Sequence, residues 1–157
     1  MERTGELVLL GAAAGAAGTT VLNAVTYLDM ALRGLGSSST PEQTVERLAE
    51  VTHLPVPGEG GTRDDRVAGL GPLTGIAAGV GSGALLGLAR AAGRRPSWAV
   101  SGAAATVLAV LGSDGTMSAL GVTDPRTWPA SSWATDLVPH LAYGLATALV
   151  LDRLDPC

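Results

Sequence analysis

The chain has 157 residues, enough for one domain; 46% are hydrophobic, 22 are glycine and only 15% are charged, against about 25% charged in an ordinary water-soluble domain. Its net charge of −4, with arginine as the only basic side chain besides two histidines and no basic patch, argues against a nucleic-acid partner. The one cysteine, Cys157, excludes an internal disulfide and a cysteine-based metal motif; it is read as an incidental thiol, because no Cys-a-a-X lipidation signal is present.

Leu7 to Leu28 contains no charged residue, and about 20 apolar residues cross a bilayer core. The preceding Glu2, Arg3 and Glu6 are not net positive, and the run is too long for an ordinary signal-peptide core. The stretch therefore predicts an uncleaved first transmembrane helix over about 7–32. Gly11, Gly15 and Gly18 offer a small-residue surface on it, and Asn23 shares a face with Thr19 and Tyr27.

Residues 33–66 are polar. Thr40 as cap, Pro41 at the first helical position and Gln43 completing a capping box predict a helix over about 41–51. Val45, Leu48, Ala49 and Thr52 follow a helical repeat, so this is a short amphipathic helix lying on the membrane surface or over the bundle. His53 to Gly61, with two prolines and three glycines, reads as loop.

A second span follows over about 66–92, with Thr62 to Asp65 as its N-terminal cap, Arg90 in its last turn and Gly93 as its C-cap. Gly71, Gly75, Gly79, Gly83 and Gly87 recur every four residues in its charge-free part. Each step of four turns about 400°, so the stripe drifts by about 160° along its length. A single straight partner does not cover it. Either one helix crosses two or three of these glycines at a right-handed GxxxG angle, or two neighbours share them. Packing within the chain, against Gly11, Gly15 and Gly18, is the default, and a homo-oligomer seam is the alternative. Gly79-Val80-Gly81 sits mid-helix and is read as packing rather than phosphate binding.

A third span starts at Ser97 and either breaks at Ser113-Asp114-Gly115 or continues to about 120. Asp124-Pro125 is a turn signal. Trp128 and Trp133 flank the next helix as interfacial anchors would. The fourth span covers about 132–151, and its Pro139 frees the Thr135 carbonyl and invites a kink. The predicted fold is all-α: a four-helix transmembrane bundle with a short amphipathic surface helix in the first loop, forming one integral membrane domain.

With both termini inside, the arginines divide equally between the two sides. The three around the short 93–96 loop, Arg90, Arg94 and Arg95, favour cytoplasmic termini, because short loops dominate the positive-inside rule. Asp29, Asp114, Asp136 and His140 then all fall near the outer boundary, with His140 about 6 Å deeper than Asp136. Asp136, His140, Tyr143 and Gly144 share a face of the fourth span. Asp29 lies about 120° around the first helix from Asn23.

Ionisable groups within a membrane are costly and often functional, and histidine titrates near neutral pH. A proton or ion site is therefore read at His140 and Asp136, polarised by Asn23 or Tyr27, with Tyr143 on the same face and Asp29 and Asp114 peripheral. The competing reading has His140 bonding Asp136 or a backbone carbonyl to fix packing, and the acids solvated at helix ends. No metal site is assigned, since the chain has only His53 and His140. No cofactor or catalytic motif is present, and no enzyme is expected. Asp152, Arg153 and Asp155 are read as a solvated inner end.

Several segments resemble a set of uncharacterised small integral membrane proteins of actinobacteria. They are Gly18-Thr19-Thr20, Asn23 to Asp29, Ser39 to Val45, Pro57-Gly58-Glu59, Gly121 to Trp128, and Val138 to Gly144. The Gly/Ala-rich first helix and the histidine in the last helix, after a tryptophan-bearing loop, are more faintly similar to YagU-like inner-membrane proteins, which are linked to acid resistance. The resemblance implies a multi-pass protein of the bacterial cell membrane and assigns no residue a role. The leading expectation is a non-enzymatic role in packing, partner binding or assembly, with the lipid bilayer and a homo-oligomer or membrane-protein partner. A small proton- or ion-conducting protein is the alternative. A lipid or other apolar ligand in a groove left by the glycines is a third reading.

Overall fold

The computed structural model describes residues 2–156, and Cys157 lies outside the described residues. The regular structure of these residues is all helical, with no strand among them. Helix α1 covers Glu2–Arg33, α2 covers Thr40–Thr52, and α3 covers Gly60–Ala91. Helix α4 covers Trp98–Val110 and passes through a π-helical turn, Leu111–Gly115, into the short α5, Thr116–Ala119. A 3₁₀ turn at Pro125–Thr127 leads to α6, Ala130–Leu154. Four helices are long and apolar enough to cross a membrane: α1, α3, the continuous Trp98–Ala119 and α6.

The helices run alternately up and down. Gly11 meets Gly83 and Gly87, while Gly15 meets Gly79 and Gly83, so α1 and α3 are antiparallel. Thr106 and Ser113 reach His140, and Gly102 meets Gly144 and Ala148, so α4 and α6 are also antiparallel. One end of the bundle carries the start of α1, the 92–97 loop and the end of α6. The other carries α2 and the 120–129 loop, and there Arg47 donates to the Leu120 carbonyl.

The seam between α1 and α3 is backbone against backbone. A methyl at Gly83 would stand 2.3 Å from the Gly11 carbonyl oxygen, and one at Gly87 would stand 2.1 Å from that of Leu7. No side chain larger than hydrogen fits at either position without parting the helices. The α3 glycines do not share one neighbour: Gly79, Gly83 and Gly87 face α1, Gly71 faces Pro41 and Glu42 of α2, and Gly75 has nothing within 4 Å. Gly18 meets Tyr143 and Thr147 of α6 instead of α3.

What is buried and what is exposed are inverted relative to a water-soluble bundle. The interior holds Ala14, Thr19, Ser82, Ser101, Ala105 and Thr147, with Tyr143, Leu86 and Leu151 as its larger members. Leu9, Leu85, Val107, Leu145 and Leu149 lie about half or more exposed on the outer faces. Small residues inside let helices approach closely where apolar side chains gain nothing by leaving the surroundings.

Several helix ends differ from expectation. Helix α1 begins at Glu2, more than a turn before its apolar run, and α6 at Ala130, two residues before the expected start, because the added residues are helix-compatible. Helix α3 starts at Gly60, with Thr62 to Asp65 inside its first turns and no side-chain cap on Glu59. Arg66 donates to the Pro57 carbonyl at 2.7 Å and ties that start to the loop before it. Ser39, not Thr40, is the N-cap of α2, and Gln43 reaches back to its hydroxyl at 2.9 Å. At the end of α3 the cap is Ala92; Gly93 follows at φ +80°, where its lack of a Cβ permits the reversal.

Candidate functional site

The chain neither breaks at Asp114 nor continues as plain α-helix, and this sets the site. On α4 the buried face runs Ser101, Ala105, Ala109, in steps of four. The next buried residue is Asp114, a step of five. A π-turn holds one residue more than an α-turn, so the face that would have presented Ser113 presents Asp114 to the interior. Ser113 remains half-buried beside it, its hydroxyl 2.9 Å from the Ala109 carbonyl.

Opposite stands α6. Ligating atoms of Asp114, Asp136 and His140 lie within 4.8 Å of one another. Asp114 is 6% exposed and His140 8%. His140 Nδ1 is 2.8 Å from the Asp136 backbone oxygen and 3.5 Å from Asp136 Oδ1. A carbonyl only accepts, so Nδ1 carries a proton. In the neutral ring Nε2 is then the lone-pair nitrogen, and the Ser113 hydroxyl lies 3.2 Å from it. Asp136 Oδ2 is buried without a hydrogen-bond partner. Among the described residues no arginine forms an ion pair with Asp114 or Asp136. His140 lies about ten residues into α6, or about 15 Å from its start.

Among the described residues, Asn23, Tyr27, Asp29 and Tyr143 form no hydrogen bond or ion pair with this cluster. Tyr27 is 61% exposed on the outside of α1. Asn23 is half-buried on α1, and among the described residues its side chain makes no hydrogen bond. Asp29 pairs with Arg33 at 3.2 Å at the exposed end of α1. Helix α1 meets α6 through Gly18, Tyr143 and Thr147. Tyr143 is fully buried one turn below His140 and donates to the Gly79 carbonyl at 2.6 Å. Thr147 follows on the same face, fully buried, its hydroxyl without a partner. Leu151, 1% exposed, closes this polar row.

Beyond Leu151 is a second buried charge cluster that the sequence reading missed. Asp152 and Asp155 are not merely a solvated end. The Arg90 side chain, 2% exposed, donates to the Leu151 and Asp155 backbone oxygens and reaches Asp155 Oδ2 at 3.3 Å and Asp152 Oδ1 at 3.4 Å. Arg95 also pairs with Asp155, at 3.0 Å. Burial pushes the Asp155 carboxyl up, but hydrogen bonds from Arg95 and Arg90 outweigh it and hold the group below the usual carboxylate range. The signal was present: an arginine in the last turn of α3 and acids at the end of α6, on helices whose parallel course brings those ends together.

In the 120–129 loop Asp124 accepts from the side chain and the backbone N–H of Arg126, which hold it low and cap the 3₁₀ turn. Trp128 and Trp133 pack with ring centroids 5.2 Å apart, and Trp128 Nε1 donates to the Thr123 hydroxyl.

The chain matches no protein-family model, no curated protein and no solved structure. Its chemistry is therefore argued from the cluster itself.

Proposed function

We propose that this chain is a small multi-pass membrane protein in which Asp114, Asp136 and His140 take up and pass on a proton or small cation. Four apolar helices of sufficient length, with small residues inside and leucines outside, support the membrane setting. The observation that carries the function is the cluster's charge. Two carboxylates and an imidazole, buried or half-buried, are gathered with no arginine ion pair among the described residues. In a low-dielectric surrounding, adjacent carboxylates are tolerated only with a compensating positive charge, supplied by a proton or a cation. A group that must be charged and discharged in place is what a carrier or relay requires.

The packing reading accounts for the glycines, but it does not account for two unmatched acids on facing helices. In proteoliposomes with an imposed pH gradient, the wild type dissipates the gradient and His140→Ala slows this at least tenfold, with the same reconstituted amount and helicity. Equal rates for the two proteins, or no rate above empty liposomes, would overturn the reading.

A further inference from the structure

We propose that the Asp114–Asp136–His140 cluster binds a divalent first-row transition-metal ion, with Mn²⁺, Fe²⁺ and Zn²⁺ as the class it fits. This rests on the cation-handling reading above and names the cargo or resident ion of that same site.

Three observations support it. The donor set is mixed, one imidazole nitrogen and two carboxylates, which suits first-row divalent ions better than the all-oxygen shell of Ca²⁺ or Mg²⁺. The imidazole is already prepared: Nδ1–H donates to the Asp136 backbone carbonyl at 2.8 Å, which fixes the ring and leaves Nε2 with a free lone pair. Metal-bound histidines characteristically hold their other ring nitrogen in this way. The acids also have capacity to spare. Asp136 Oδ2 is buried with no partner, and Asp114 is more than nine-tenths buried with no arginine to neutralise it.

The charges balance with the ion present. Two carboxylates and a neutral imidazole sum to −2, which one divalent cation cancels. Oxygen and nitrogen ligands about 2.1 Å from a shared ion stand about 3–4 Å apart. Atoms already within 4.8 Å of one another reach that spacing by small side-chain rotations. Three protein ligands leave coordination positions open, as in sites that exchange a ligand rather than in closed structural sites. The Ser113 hydroxyl beside Nε2 gives way to the ion and keeps its bond to the Ala109 carbonyl.

The test uses the full chain, purified in detergent and stripped with a chelator. Mn²⁺ is titrated and followed by loss of its free-ion electron paramagnetic resonance signal; Co²⁺ is titrated separately and followed by its visible absorption. The wild type is expected to bind about one Mn²⁺ and to give a Co²⁺ band of low-symmetry nitrogen/oxygen coordination. Asp114→Asn, close in shape and retaining helicity, is expected to weaken Mn²⁺ binding at least thirtyfold. Asp136→Asn tests the second carboxylate in the same way. Excess Mg²⁺ should not displace Mn²⁺. Absence of Mn²⁺ and Co²⁺ binding in the wild type, or equal binding in helical Asp114→Asn and Asp136→Asn, overturns the inference. If metal binding is absent while pH-gradient dissipation still depends on His140, the ion inference fails and the relay reading stands with the proton as cargo. If Mn²⁺ binds as described but no gradient is dissipated, the ion site stands and the relay falls.

Discussion

The two buried charge clusters at opposite ends of α6 are built from the same kind of carboxylate and differ in what faces it. At one end Asp152 and Asp155 meet Arg90 and Arg95, with two backbone carbonyls also accepting from Arg90. Negative and positive charge match, and nothing further is required. At the other end Asp114 and Asp136 meet a single histidine. In the proposed reading, a proton or cation supplies the compensating positive charge there. The contrast separates a clamp that holds α3 to the end of α6 from the cluster proposed to take up a cation.

The largest effect is expected at the matched cluster. Arg90→Ala leaves the Leu151 and Asp155 backbone carbonyls without their guanidinium donor and Asp155 with Arg95 alone. Breaking such a pair from one side costs about 3–5 kcal/mol. Detergent-solubilised Arg90→Ala should therefore aggregate or unfold well below the wild type on heating, and a wild-type melting curve would mean the clamp is not structural. At the unmatched cluster the same kind of change acts on function: Asp114→Asn should abolish cation uptake while the protein purifies in normal yield. A smaller effect separates the two by pH. Asp155 sits below its ordinary value of 3.8 when folded, so its contribution is present above that pH and is lost as pH falls through the lower folded value. Amide exchange over residues 150–155 should accelerate below about pH 4 while the glycine seam of α1 and α3 stays protected. Uniform acceleration across both regions would remove the distinction.

The sequence made the four apolar spans legible because a long run without charge is a one-dimensional signal. Helix ends were less so. Gly60, Ser39 and Ala92 take their roles from loop geometry and from contacts such as Arg66 to Pro57, which local capping patterns do not contain. At the site, Asp136 and His140 were visible as a pair four residues apart on one helix. Asp114 was placed at the margin because it falls near the end of the third span, where an acid reads as solvated, and plain helical spacing from Ala105 and Ala109 would bury Ser113. A π-turn reverses that assignment, and only the flanking Gly112 and Gly115 hinted at an irregular turn. Tyr27 was drawn in through its own helix face, yet it lies 61% exposed, because which face turns inward depends on pairings between helices that no single span reveals. Arg90 followed the helix-dipole expectation for a last turn, but its burial depends on α3 and α6 ending side by side.

The most direct measurement of the difference between the clusters is a pair of melting curves in metal-free buffer at neutral pH, Arg90→Met beside Asp114→Asn. Neutralising an acid that faces another acid should leave the melting temperature unchanged or raise it by a few degrees, since function at such sites is held at some expense of stability. Removing the clamp's guanidinium should lower it by about 6 °C or more, at about 2–4 °C per kcal/mol for a chain of this size. Equal losses in the two variants would contradict the account, because Asp114 would then be a structural partner and not the open half of a cation site.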